Sequence, residues 1–230
     1  MKILALADIH EAVKSAEVAA AEAQKLKADL ITISGDITNF GGWEKAREIL
    51  LALRKCNLPV IYVPGNCDLP EVFEMSVEGC FDLHGRIYSF GGYSFIGVGG
   101  SNPTPLGTPS EFEEKEILKI LEEAMDSAEN TGKLILLSHT PPFRTKLDRL
   151  SYTMSSHVGS HAVRSFIEKR KPILAICGHI HDACGVDKLG GSILVNPGSA
   201  KYGNFAFITL DGEVEVNLGG FNRGTARAEL

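Results

Sequence analysis

Residues 1–10 (MKILALADIH), 28–37 (ADLITISGDI) and 58–68 (LPVIYVPGNCD) decide the fold. Each holds a short apolar run that stops at a polar loop, the pattern of a buried strand. Strands are predicted at Lys2–Ala7, Leu30–Ser34 and Pro59–Val63, the second ended by Gly35. Between them, the alanine-rich Ala12–Lys27 and the segment Trp43–Leu53 carry helical periodicity. The order β-α-β-α-β predicts a parallel sheet flanked by helices.

Beyond residue 80 the character changes. Arg86–Phe90 and Tyr93–Val98 read as a hairpin around Gly91-Gly92. Ser110–Ala128 reads as a helix with Ser110 and Glu113 as a capping box. Lys133–Ser138 and Ile173–Cys177 are further buried strands, separated by a helix at Ser160–Arg170 with Ser160 as its cap. Short strands follow at Gly185–Leu189, Ser192–Val195, Asn204–Leu210 and Glu213–Leu218. Parallel units followed by antiparallel strands predict an α/β fold, a four-layer αββα sandwich of two mixed β-sheets flanked by helices. With no linker-like stretch, residues 1–221 read as a single domain, and the small, polar residues 222–230 as a frayed tail.

Composition sets limits on function. The chain has 230 residues, 44% hydrophobic and 23% charged, which is globular rather than disordered. Lys plus Arg is 23 and Asp plus Glu is 29, a formal charge of −6, so no basic excess is present to hold a long nucleic acid. The N-terminal apolar run ends at Asp8, too short for a signal-peptide core. No stretch approaches the roughly 20 apolar residues of a membrane span, so a cytoplasmic protein without a membrane partner is expected. The five cysteines form no CxxC pair, which indicates neither a disulfide framework nor a thiolate zinc site.

The chemistry-bearing residues recur just after buried strands. Asp8 and His10 follow the first, Asp36 the second and Asn66 the third; His139, then His179 and His181, follow two later ones. Ligands gather at the carboxyl ends of strands in such sheets, so five strand ends can converge seven polar side chains on one cleft. Oxygen from Asp8, Asp36 and Asn66 with imidazole nitrogen from four histidines suits manganese, iron, zinc, cobalt or nickel better than magnesium or calcium. Seven ligands exceed one tetrahedral site but suit two adjacent divalent ions, manganese favoured. Asp8 and His10, at i and i+2 of an extended segment, would face one ion together; His179 and His181 share that spacing. Glycines 35, 65 and 178 beside the ligands would permit tight turns.

The blocks DIH (8–10), GDI (35–37), GNCD (65–68), SHTPP (138–142), GHIH (178–181) and NPGS (196–199), in this order, resemble the calcineurin-like metallophosphoesterase superfamily. The resemblance implies a metal-dependent phosphoric ester hydrolase. Asp8, His10 and His181 would hold one metal; Asn66, His139 and His179 the other; and Asp36 would bridge both. Catalytic roles fall on Asp36, Asn66, Cys67 and His139. The family usually carries histidine where this chain has Cys67. A thiol is a weak hydrogen-bond donor, so the departure predicts a preference for phosphodiesters or activated aryl esters over alkyl phosphomonoesters; the expected substrates are phosphodiesters or small nucleotide or aryl phosphate esters. The alternatives are a non-catalytic metal-binding scaffold, as in the retromer subunit of this fold, and a nuclease.

Other residues have two readings each. His157 and His161 lie four apart; one of them would approach the substrate and replace the missing acid, or both lie in a solvated loop and helix start. Arg144 and Lys146 would contact a phosphate or simply carry surface charge. Asp68 would orient a loop or a ligand by hydrogen bonding. Asn196 is either a turn residue or a support for the ligands, and His84 is taken as structural or surface. A small phosphate ester is the expected partner, with specificity set by loops Ser101–Ser110 and Pro141–Gly159.

Overall fold

In β1 (Lys2–Leu6) alternate side chains serve two different cores. Ile3 and Ala5 point to a layer between two sheets, while Leu4 and Leu6 point to helices outside. The computed structural model, which describes residues 1–127, 133–150, 157–221 and 224–228, repeats this division through the first sheet. β2 (Leu30–Ser34), β3 (Val60–Val63) and β4 (Cys80–Asp82) extend the sheet in parallel from one side of β1. β11 (Asn204–Asp211), β12 (Glu213–Gly220) and β13 (Gly224–Arg227) extend it antiparallel from the other, giving the order β13-β12-β11-β1-β2-β3-β4.

The second sheet holds β5 (Ile87–Phe90), β6 (Tyr93–Val98), β7 (Lys133–Ser138), β8 (Leu174–Ile176), β9 (Gly185–Leu189) and β10 (Ser192–Asn196), in the order β5-β6-β7-β8-β10-β9. Its four inner strands are parallel, and β5 and β9 are antiparallel edges. Phe95, Ile135, Leu137 and Ile176 meet Ile3, Ile61 and Val63 between the sheets. Two helices cover each outer face. α1 (Val13–Lys25) buries Ala16, Ala19, Ala20 and Ala23, small side chains that let it pack closely; α2 (Trp43–Arg54) buries Ala46, Ile49, Leu50 and Leu53. α3 (Glu114–Asp126) and α4 (His161–Arg170) cover the second sheet with Ile117, Leu121, Val163 and Phe166. The αββα sandwich of two mixed sheets is thus present, with its helices on the outside.

Two local expectations change, and one strand is added. α3 begins at Glu114, not Ser110: the Glu116 carboxylate accepts from the Glu113 N–H at 2.9 Å, while buried Ser110 donates to the Asp68 carbonyl at 2.6 Å. Residues 224–227, expected to fray, pair with Asn217–Gly220 as β13, because β12 offers them an open edge. β4 has no clear alternation in sequence and forms on the free edge of β3. Ala128, residues 222, 223, 229 and 230 of the tail, and 151–156 of the Pro141–Gly159 loop lie outside the described residues.

The start of α4 is capped from two directions. Ser160 accepts from the Val163 N–H at 3.1 Å and donates to Glu114 of α3 at 2.7 Å. Glu114 also accepts from the N–H groups of His161 (3.0 Å) and Ala162 (2.7 Å), placing a carboxylate on unsatisfied donors at the positive end of the helix. Glu114→Ala should lower stability by about 1–2 kcal/mol. Urea unfolding should show a lower midpoint with an unchanged slope.

Candidate metal centre

The loops after β1 and β2 are clasped by their backbones. The N–H groups of Asp8, His10 and Glu11 donate to the carbonyls of Gly35 (3.0 Å), Asp36 (2.9 Å) and Ile37 (3.0 Å). To meet this register Asp8 (φ 54°), His10 (φ 47°) and Asp36 (φ 50°) adopt left-handed backbone, as does His179 (φ 68°). The conformation costs a non-glycine residue about 1–2 kcal/mol, and such strain collects at functional sites. The segment of Asp8 and His10 is therefore not extended, as the i, i+2 argument assumed; the two side chains reach one site through a left-handed twist. Of the neighbouring glycines only Gly35 uses a positive φ (86°). Gly65 and Gly178 are needed for room: a Cβ at Gly65 would overlap the Asp36 carboxylate, and one at Gly178 would lie 2.7 Å from Ala7 Cβ.

All seven expected ligands come to the same end of the sheets. In one half His10 Nε2 lies 3.2 Å from His181 Nε2, and these nitrogens lie 3.7 Å from Asp36 Oδ2 and 3.5 Å from Asp8 Oδ1 respectively. In the other half His139 Nε2 lies 2.7 Å from Asn66 Oδ1 and 3.4 Å from Asp36 Oδ1, and the His139 and His179 rings are 5.0 Å apart. Asp36 thus turns one oxygen to each half. His179 and His181, paired in sequence, divide between the halves.

The hydrogen bonds around Asn66 fix which atoms face inward. The Glu111 carboxylate can only accept, so the Thr108 hydroxyl donates to it (2.6 Å). Thr108 Oγ1 then accepts from Asn66 Nδ2 at 2.9 Å, which turns Asn66 Oδ1 toward His139. The Ser34 carbonyl takes the Nδ1–H of His139 at 2.8 Å, which in the neutral ring leaves the Nε2 lone pair facing that oxygen. In that form two lone pairs aim at each other, an arrangement relieved by a cation between them, a proton or a metal ion. Asp8 Oδ2 is fully buried and has no hydrogen-bond partner, a second sign of the same need. The groups Asp8–His10–His181, Asp8–Asp36–His139 and His10–Asp36–Cys67 each bring their ligand atoms within 4.8 Å of one another. The donor set therefore fits divalent transition cations.

Burial and charge act together on these groups. Burial lowers the His10 imidazole against the opposing pull of Asp36 and Asp8, and lowers His179 to about 4. Both rings are thereby kept neutral, the form that ligates metal. The Asp8 hydrogen bond raises His181 despite burial. Burial pushes Asp8 up, but the His181 hydrogen bond, together with the attraction of His139, His181 and His10 where these rings are protonated, outweighs it and holds the carboxyl low. Burial and the Asp36 carboxylate push the Cys67 thiol up.

Supporting residues lie one layer out. Asp68 accepts from the N–H groups of Ile37 (3.0 Å), Thr38 (2.6 Å) and Gly65 (2.7 Å) and from Thr38 Oγ1 (2.8 Å), stitching the loop after β2 to the loop after β3. Asn196 donates to the Ile180 carbonyl at 2.9 Å, between the two histidines of GHIH, and accepts from the Gly198 N–H, so it is both turn residue and support. Glu111 and Thr108 were not singled out from sequence, since nothing local distinguishes them from other polar loop residues.

An open cleft of about 400 Å³ exposes the centre, lined by His10, Asp36, Asn66, Cys67, His179 and His181 together with Phe40, Leu106 and Thr108. His157 and Arg144 are not among its lining residues. His157 Nδ1 is held at 2.6 Å by buried Asp148, and the Arg144 guanidinium lies 5.5 Å from the Phe143 ring centroid. The His161 ring packs on Phe143 at 3.9 Å, and Lys146 pairs with Asp187. His84 is structural: its Nδ1 accepts from the Gly99 N–H at 3.1 Å, and its ring contacts Phe73 and Phe112.

Residues 1–183 match the family model described as calcineurin-like phosphoesterase, and the chain belongs to that family of metal-dependent hydrolases. It is 34% identical over 206 residues to the uncharacterized protein MJ1162 of Methanocaldococcus jannaschii, covering 88% of this chain and 90% of that protein. A Fibrobacter succinogenes protein named "Probable cyclic nucleotide phosphodiesterase" is 26% identical over 171 residues, 74% of this chain and 64% of that protein. TT1561 of Thermus thermophilus shares the fold with a TM-score of 0.78 at 21% identity, covering 96% of this chain and 99% of its own. A dimetal phosphatase from Danio rerio shares it with a TM-score of 0.68 at 13% identity, covering 99% and 98%.

Thr108→Val keeps the shape but removes the hydroxyl that orients Asn66. Manganese affinity, measured by chelator competition, should fall at least about tenfold while the unfolding midpoint changes little.

Proposed function

We propose that this chain is a dinuclear metal-dependent phosphoesterase acting on phosphodiesters or small nucleotide or aryl phosphate esters. The observation that carries the reading is the convergence of seven nitrogen and oxygen ligands from five strand ends, with Asp36 turned to both halves. Asp8, His10 and His181 would hold one cation, Asn66, His139 and His179 the other, and Asp36 would be shared. Bound cations of this kind, manganese favoured, supply a water of lowered pKa for attack on phosphorus and neutralise charge on the phosphoryl oxygens.

The protein's own contribution is placement and electrostatics. Asp36 is held by the Cys67 N–H at 2.8 Å, and Asn66 by Thr108, so neither needs to reorganise when substrate arrives. Cys67 lines the cleft as a neutral thiol with little ability to protonate a departing alkoxide. Esters whose leaving groups depart without an acid are therefore favoured. The relative named as a cyclic nucleotide phosphodiesterase supports the diester class. The net charge of −6 disfavours long nucleic acids, and the five unpaired cysteines suit the reducing cytoplasm.

Manganese-loaded protein should hydrolyse bis(p-nitrophenyl) phosphate faster than alkyl monoesters and stop on chelation. Asp36→Ala should lower kcat/KM by about a thousandfold or more, and Cys67→His should raise alkyl monoester turnover about a hundredfold by supplying a general acid. Tight manganese binding with no turnover across monoesters, diesters and cyclic nucleotides would instead identify a scaffold.

A further inference from the structure

A second cavity adjoins the metal centre. Its volume is about 470 Å³, and it shares Leu106 and His179 with the cleft over the candidate ligands. Among the described residues its walls come from Pro103, Pro105, Leu106, Leu150, Val158 and Ile180, with Asn102 and Thr104 as the remaining polar lining and no Asp, Glu, Lys or Arg. The polar groups have partners already: Asn102 donates to the Val158 carbonyl and accepts from Thr140, and Thr104 donates to Glu111 and accepts from the Leu106 N–H. What this cavity offers a ligand is mainly apolar surface.

The loop that builds the wall is held in place, and its apolar side chain is left in solvent. Glu111 accepts from the N–H and hydroxyl of both Thr104 and Thr108, bracketing Leu106 between them. Leu106 is nevertheless 83% exposed. Phe40, which also lines the cleft, is 53% exposed, in left-handed backbone (φ 64°) pinned by its N–H to the Cys67 carbonyl at 3.0 Å. Side chains of this size in solvent, next to a cavity and a polar centre, mark a binding surface.

We propose that this cavity is the subsite for an uncharged aromatic group of the phosphate ester. The assignment rests on the phosphoesterase reading for the position of the phosphoryl group and adds what lies beside it. Pro103 and Pro105 restrict the backbone of this wall, which resists collapse onto the cavity. A ring buries apolar area against them with few rotors frozen, whereas an alkyl chain of similar area loses more freedom on binding.

The test uses phosphonates, which are not hydrolysed. Manganese-loaded protein should bind phenylphosphonate about tenfold or more tighter than methylphosphonate by calorimetry, a difference set by burial of the ring. Leu106→Ser, at an exposed position, should cut that ratio to about threefold or less, whereas Leu51→Ser on the exposed face of α2 should leave it intact. Equal affinities in the unaltered protein, or a preference that survives Leu106→Ser, overturn the subsite. Phenyl preference without hydrolysis of any ester upholds the subsite and defeats the phosphoesterase reading. Hydrolysis without phenyl preference defeats the subsite alone. Failure of both phosphonates to bind defeats both.

Discussion

Between His139 Nε2 and Asn66 Oδ1 the distance is 2.7 Å, and with the ring neutral two lone pairs face each other there; the organisation of the centre follows from that contact. Each atom is turned inward by a bond on its far side, His139 by the Ser34 carbonyl and Asn66 by Thr108. Left alone, the pair is repulsive. It sits beside Asp36 and Asp8, which are almost wholly buried, and burying a carboxylate is costly unless opposite charge or donors are close. The protein supplies only part of that compensation: Asp36 Oδ1 has the Cys67 N–H, and Asp8 Oδ1 has the His179 N–H at 3.2 Å, while Asp8 Oδ2 has none. The site is built with a deficit of positive charge that divalent cations would fill.

Holding such a site requires loops that cannot relax. Asp68 does this for the second and third strands, with four donors on one carboxylate. Burial and the Asp36 charge still push the Asp68 carboxyl up to about 6. Ser199 does it for the first strand by donating to the Asp8 carbonyl at 2.8 Å. The left-handed residues are stable only because these bonds over-determine the loops, with sheets on both sides too tightly packed to yield. At Gly65 the packing leaves no room for a Cβ. Rigidity at the centre is therefore a property of the inter-loop hydrogen bonds as much as of the ligands.

What the sequence made legible is what local pattern encodes. The strands announce themselves as apolar runs, and Asp8, Asp36, Asn66, His139, His179 and His181 announce themselves by following them. The alternation of core faces then follows from strand geometry. The rest is set by contacts between distant segments. Glu114 caps a helix that begins 47 residues later, and Glu111 orients Asn66 through a loop whose polar residues look ordinary. The tail joins β12 because an edge is free there, and its own composition suggests no strand. His157 finds Asp148 nine residues away and packs near Phe143, a local arrangement that spacing to His161 could not reveal.

The apolar cavity and the charged centre belong to one electrostatic argument. A net charge of −6 disfavours phosphate esters at long range, so attraction would arise at short range, from cations at the candidate centre. Water screens such attraction, and apolar walls reduce the screening. Leu106 and Phe40, which line the cleft, would exclude water from beside the candidate centre, and Leu106 also from the volume an aromatic ester group would fill. Occupancy of the apolar cavity would then strengthen the pull on the phosphoryl oxygens as well as add its own contact area. Such coupling would give a role to the large apolar side chains held in solvent on loops fastened to the backbone at Cys67 and to Asn66 through Thr108.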